Sequence, residues 1–190
     1  MKRILKKDGR VCINHYLSLG NSQERVAPIM DINTISQNNG LKHHSVAIWE
    51  DITLSNRTAW GSWLSASSPY INSPYEAILF LYNEQWKKID KGTTQIIDKE
   101  FIEATRGNWK LHPEQNSQHP APFPLRFAER CILLLSYEND VVYDPFLGTG
   151  TTAVVAKSMN RRYIGSEISK DYYKISAKML KEVGSLFTKK

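Results

Sequence analysis

The sequence predicts an α/β protein built on a parallel sheet, and three observations carry that prediction. The C-terminal third alternates apolar runs of strand and helix type. A glycine loop separates one of those strands from the helix after it, and an acidic residue closes the next strand. With 190 residues, 41% of them hydrophobic and 23% charged, the chain has enough apolar mass for a packed core.

The elements follow in order. Lys7-Asp8-Gly9-Arg10 is a polar turn, and Val11-Cys12-Ile13-Asn14 after it reads as a buried strand. Residues 21–39 run into Asn38-Asn39-Gly40, the pattern of a helix stopped by glycine. Val46-Ala47-Ile48-Trp49 is a second short strand. Between residues 51 and 75 the composition turns aromatic, serine-rich and proline-bearing, which predicts irregular structure. Ala77 to Tyr82 is a strand. Residues 87–118 are polar and charged, an insertion or linker with a short helix over 98–105. Phe127, Cys131, Leu134 and Leu135 set a helix over 125–136. Val141 to Tyr143 is a strand, residues 153–159 a helix, Tyr163 to Gly165 a strand, and residues 170–183 a closing amphipathic helix.

Bulk properties narrow the function classes. A net charge of +6 suits a polyanionic partner, because Lys and Arg near phosphates release counterions. Cys12 and Cys131 sit among apolar residues and read as small hydrophobes, with neither a disulfide framework nor a zinc spacing. His43, His44 and His112 read as surface or capping residues, and no metal is expected. No run approaches the roughly 18 apolar residues of a membrane span. The basic start lacks the apolar stretch of a signal peptide, so a cytoplasmic protein is expected.

Asp144-Pro-Phe-Leu-Gly-Thr-Gly-Thr-Thr152 carries the chemistry. Glycines at 148 and 150 let the backbone turn and approach a ligand, toward which the following helix directs its first amides. Nineteen positions after Gly148, Glu167 ends the next strand, where a carboxylate can accept both hydroxyls of a ribose. The third glycine of a dinucleotide fingerprint is replaced by Ala153, which that fingerprint tolerates. An anion at Asp144 argues against pyrophosphate and suits a cation, such as a sulfonium carrying an α-amino group.

Residues 144–152 resemble motif I of the DNA methyltransferases that methylate exocyclic amines, N4 of cytosine or N6 of adenine. His119-Pro-Ala-Pro-Phe-Pro124 and the helix after it resemble motif X, and Arg162-Tyr-Ile-Gly-Ser-Glu167 resembles the ribose-binding segment. The order X, I, acidic strand end resembles the family's β group. Leu5 to Asn14 resembles the strand after the catalytic motif, and 57–63 with 68–76 resemble the middle section near the target base, so the likeness covers nearly the whole chain.

The resemblance implies a Rossmann-like S-adenosylmethionine-dependent methyltransferase sheet. Asp144, Pro145, Phe146, Gly148, Thr149, Gly150, Thr151 and Thr152 would cradle the cofactor, with Glu167 on its ribose. His119, Pro120 and Phe123 would form the opposite wall, His119 sterically. Arg57, Trp60, Trp63, Ser65 and Tyr70 would face double-stranded DNA, the two tryptophans either stacking on bases or packing a subdomain. Arg57, Lys87, Lys88, Arg106 and Lys110 would contact phosphates or stay solvated. Tyr172 and Tyr173 are expected to pack. The expected division is 1–118, a partial catalytic and target-base region, and 119–190, the cofactor-binding region.

The family's catalytic motif, Asp/Ser/Asn-Pro-Pro-Tyr/Phe, should precede Leu5 in this order, and it is absent. Ser67-Ser-Pro-Tyr70 and Asn72-Ser-Pro-Tyr75 have one proline each and read as turn-rich loop. The expectation is a sheet missing its central catalytic strand. The chain would be a fragment or subunit of a restriction-modification methyltransferase, cytosine N4 ahead of adenine N6, with the motif on an upstream chain or in a longer or interrupted reading frame within which Met1 is internal. A non-catalytic cofactor- and DNA-binding half, an inactive remnant, and an RNA or small-molecule methyltransferase are the alternatives.

Overall fold

The computed structural model describes residues 1–20, 24–53, 61–113 and 123–183. They form two compact units that interleave in sequence: Met1–Asp90 with Thr105–His112, and Lys91–Ala104 with Pro113–Lys190. This differs from the expected boundary at residue 118, because the segment before it contributes to both units.

The first unit holds β1 (Arg10–Tyr16), the short hairpin β2 (Leu19–Gly20) and β3 (Arg25–Val26), α1 (Pro28–Asn38), β4 (Lys42–Asp51) and β5 (Tyr75–Tyr82). β5 runs antiparallel between β1 and β4. It is the core strand: Ala77, Ile78 and Leu81 are fully buried, and Leu79 nearly so. Alternate residues Ala77, Leu79 and Leu81 cluster with Val11 and with Ile29 of α1 and Leu41 after it. The other register faces Trp109, whose ring lies 6.1 Å from that of Phe80. Burial on both faces explains the unbroken apolar run in the sequence. Gly40, at φ +83, ends α1 as the glycine signal predicts.

β4 extends well beyond Val46–Trp49. Pairing with β5 from Lys42 to Glu50 holds even its polar start in the strand. A further strand, β6 (Asn108–Leu111), is not foreseen by the apolar pattern. It lies parallel to the C-terminal part of β4, with Trp109 completely buried and Trp49 Nε1 donating to the Leu111 carbonyl at 3.3 Å.

The second unit holds α2 (Asp98–Thr105, its last residue counted with the first unit), α3 (Leu125–Leu135), β7 (Val141–Asp144), α4 (Thr151–Ser158), β8 (Arg162–Gly165) and α5 (Lys170–Lys181). β7 and β8 are parallel. Ala128 and Ile132 of α3 pack on Val155 and Ala156 of α4, with Phe123, Val142 and Met159 around them. The insertion is fastened by a buried ion pair: Arg130 Nε donates to Glu100 Oε1 at 2.7 Å, each residue about 5% exposed. Arg126 donates to the second oxygen of the same carboxylate. No helix among the described residues is long and apolar enough to cross a membrane.

Candidate cofactor site

The loop after β7 is shaped by two carboxylates that bind backbone. Asp144 Oδ1 accepts from the Phe146 amide at 2.9 Å, and Oδ2 accepts from Thr152 Oγ1 at 2.6 Å. The aspartate thereby ties the end of the strand to the first turn of α4. Glu167 does the same from the next strand end, accepting from Gly148 N at 2.7 Å and Ser169 N at 2.8 Å. Both are charge-assisted bonds, stronger than neutral ones. Neutral bonds join the loops as well, from Leu147 N to Ser166 O and from Ser166 Oγ to Pro145 O, each at 3.0 Å.

The glycines are required by this geometry. Gly148 and Gly150 have φ of +56 and +99, where a side chain is strained. A Cβ on Gly150 would also stand 2.7 Å from Cβ of Ser176, which is buried on α5. Gly150 is the N-cap of α4, so the amides of the first helical turn follow directly from it.

Two apolar side chains stand out beside these anions. Phe146 is 86% exposed and Ile168 is fully exposed. Ile168 is not singled out by the sequence pattern, nor are Ser169 and Ser176. Its position directly after the strand-ending acid is the available signal. Phe123 is partly buried, 5.4 Å ring to ring from Phe127 and packed on the α3–α4 cluster. His119 and Pro120 lie outside the described residues.

The residues expected to face DNA are in the first unit. Trp63, Ser65 and Tyr70 share a loop closed by the Gly61–Pro69 bridge and by Ser62, whose Oγ donates to Ser65 O at 2.7 Å and accepts from Ser68 N at 2.9 Å. Trp63 is 65% exposed. Tyr70 receives the Arg25 guanidinium 4.3 Å above its ring. The same bridge holds Ser67 to Tyr70 in a turn, as expected for the single-proline near-match. Arg57 and Trp60 lie outside the described residues. Lys88 is mostly buried beside Asp8, at 4.0 Å, rather than solvated. Tyr173, expected to pack, is instead 62% exposed.

Comparison with known proteins bears on the family and the fold. A family model described as DNA methylase, covering N6 and N4 enzymes, matches residues 1–178. The type II methyltransferase M.MjaVI of Methanocaldococcus jannaschii is 42% identical over 116 residues, 60% of this chain and 59% of that one. The orphan methyltransferase M.BamHII of Bacillus amyloliquefaciens is 56% identical over 64 residues, 34% of this chain and 24% of that one. The chain thus spans less than two thirds of either of these relatives. A Thermus thermophilus protein assigned as a DNA modification methylase superposes with a TM-score of 0.76 at 26% identity, over 96% of this chain and 74% of its own. The PvuII cytosine-N4-specific DNA methyltransferase shares the fold, with a TM-score of 0.70 at 17% identity over 97% of this chain and 70% of its own. The expected α/β methyltransferase fold is therefore met, and the chain belongs to the N6/N4 DNA methylase family.

Proposed function

We propose that residues 144–152 and Glu167 bind S-adenosylmethionine, and that the chain is the cofactor half of a cytoplasmic restriction-modification methyltransferase acting on an exocyclic amine of double-stranded DNA. The observation that carries this reading is the pair of carboxylates fixed at adjacent strand ends, with left-handed glycines between them and an exposed aromatic beside them. These residues fit the cofactor. Asp144 is an anion suited to a ligand bearing sulfonium and ammonium charge. A carboxylate accepts at about four sites, so a ribose diol on Glu167 is compatible with the two amides already bound. Phe146 and Ile168 offer apolar surface to a flat base.

The cofactor, when bound, supplies an electrophilic methyl group. The chain's own contribution is to orient it and to limit water around it, since a methyl transfer depends on alignment and desolvation. The remaining chemistry belongs to the Pro-Pro-aromatic motif, which none of the 190 residues provides. We assign it to polypeptide outside them, either continuous upstream or a separate chain. The likeness of 57–63 and 68–70 to enzymes acting on cytosine N4 favours that base over adenine N6.

Calorimetry on the chain tests the cofactor reading. Saturable binding of S-adenosylmethionine, weakened at least tenfold in Asp144→Ala, is expected. A folded, monodisperse sample that does not bind would overturn it. Addition of a polypeptide bearing the motif, followed by nucleoside analysis of methylated duplex, tests the substrate, with N4-methylcytosine expected and N6-methyladenine opposing the assignment.

A further inference from the structure

One end of the four-stranded sheet carries a ladder of cations and aromatic rings that the cofactor loop does not use. Arg10 opens β1 and Lys42 opens β4, and both stand opposite Tyr82 at the end of β5. Their backbones are therefore two strand spacings apart, about 10 Å. Arg10 donates from Nε and Nη2 to the Trp86 carbonyl at 3.1 and 2.9 Å, and its guanidinium lies 4.6 Å from the indole centroid. His44 stacks on the same indole at 3.6 Å and 16°, and Tyr82 meets it edge-on at 6.0 Å. Lys42 Nζ donates to the Glu84 carbonyl at 2.8 Å. The strand register shifts between His43 and Ser45, as in a bulge that re-aims a side chain.

The surroundings are strongly basic. Residues 1–10 contain Lys2, Arg3, Lys6, Lys7 and Arg10 against one acid, Asp8. Asp8 is 5% exposed and already accepts from the Ile89 amide at 2.9 Å. The carbonyls of Lys6 and Lys7 accept from Asn83, Glu84 and Gln85, which brings this segment beside the ladder. Glu84 is exposed and is 3.6 Å from Lys7, so it offsets one of these cations.

We propose that this end of the sheet is a second DNA contact, in which Lys6, Lys7, Arg10 and Lys42 bind phosphates of a duplex and the Trp86–His44 stack holds Arg10 in place. It rests on DNA being the partner, but not on the cofactor site. The loop at 61–70 joins β4 to β5 at the other end of these strands, about 30 Å away along the ten residues of β4. Backbones about 10 Å apart bring Arg10 and Lys42 to the same end of the sheet, a cluster of positive charge suited to a phosphate backbone. Arg10 is immobilised in advance, which lowers the ordering cost of binding.

The test is duplex-DNA affinity by fluorescence anisotropy on the full chain, between about 50 and 200 mM salt. Each lost phosphate contact lowers the log–log salt slope by about 0.9. The variant Lys6→Gln/Lys7→Gln/Lys42→Gln is expected to lower it by about 2–3. Lys174→Gln/Lys178→Gln/Lys181→Gln on α5, which removes the same charge, should leave it unchanged. Lys7→Gln alone, with a side chain 73% exposed, gives a drop of about one should the triple variant fold poorly. A wild-type slope in the first variant, an equal loss in the α5 variant, or tight binding to anionic vesicles without duplex binding would each overturn the proposal. S-adenosylmethionine affinity should be the same in all of them, which separates failure here from failure of the cofactor reading.

Discussion

The amide of Gly148 donates to the carboxylate of Glu167 at 2.7 Å, joining the glycine loop to a strand end nineteen residues later. The acid that the sequence suggests for ribose is thus also a structural member of the loop. Glu167→Ala removes both amide acceptors. Hydrogen bonds to charged groups contribute about 1.5–3 kcal/mol each. Glu167→Ala is expected to lose cofactor affinity at least tenfold and to lower Tm. Glu167→Gln, which retains one acceptor oxygen, should fall between it and the wild type in calorimetry and thermal unfolding.

Gly150→Ala combines a strained φ with a 2.7 Å approach to Cβ of Ser176. We expect a loss of about 2–4 kcal/mol in urea unfolding. In a Ser176→Gly background the 2.7 Å contact is gone, the Cα there at 3.1 Å becomes the nearest atom and the strain remains, so the same substitution should cost measurably less. A double-mutant cycle reads that coupling directly. Equal cost in both backgrounds would show that the contact with α5 does not matter.

Glu100→Gln removes the buried partner of Arg130 and leaves it only the half-exposed carboxylate of Glu103, 3.4 Å from Nη2. Breaking such a pair typically costs about 3–5 kcal/mol, and equilibrium denaturation should show it. Replacing Glu100 and Arg130 together by apolar residues should be far milder, since neither charge is then left buried alone.

Glu76 gives a pH dependence of defined sign. Burial is the main reason its carboxyl titrates above the ordinary range; a hydrogen bond with Asn14 opposes the shift and the charge of Asp51 adds to it. The folded state therefore holds this proton to higher pH than the unfolded chain does. Its contribution to stability is present below the unfolded pKa and is lost as pH rises through the folded one. Subtracting the Tm–pH profile of Glu76→Gln from that of the wild type should leave a curve that falls across that window. A difference curve that rises would contradict the burial of this carboxyl.

Much of this is legible in the sequence. The Asp98–Thr105 helix, the core strand at β5 and the strand-loop-helix unit at β7 stand where apolar period and glycine placement predict them. β6 does not announce itself, because four residues in a polar stretch are strands only through parallel pairing with β4, a contact sixty residues away. The polar start of β4 is hidden for the same reason: ladder hydrogen bonds fix the backbone there, not hydrophobic alternation. At the site, Asp144, the glycines and Glu167 can be read from the sequence, but their internal bonds cannot. Ile168 and Ser169 escape because exposure and amide direction exist only in three dimensions.

The ion pair between Glu100 and Arg130 has a consequence for how members of this family can exchange parts. Each unit takes its residues from two stretches of sequence, so no single crossover separates them cleanly. A recombination just before Lys91 would send β6 away from the β4 it pairs with, and one after His112 would part Glu100 from Arg130. A cofactor module inherited from a different ancestor would have to bring its own acid for that arginine, and shuffling should favour breakpoints outside the stretch from β4 to Arg130.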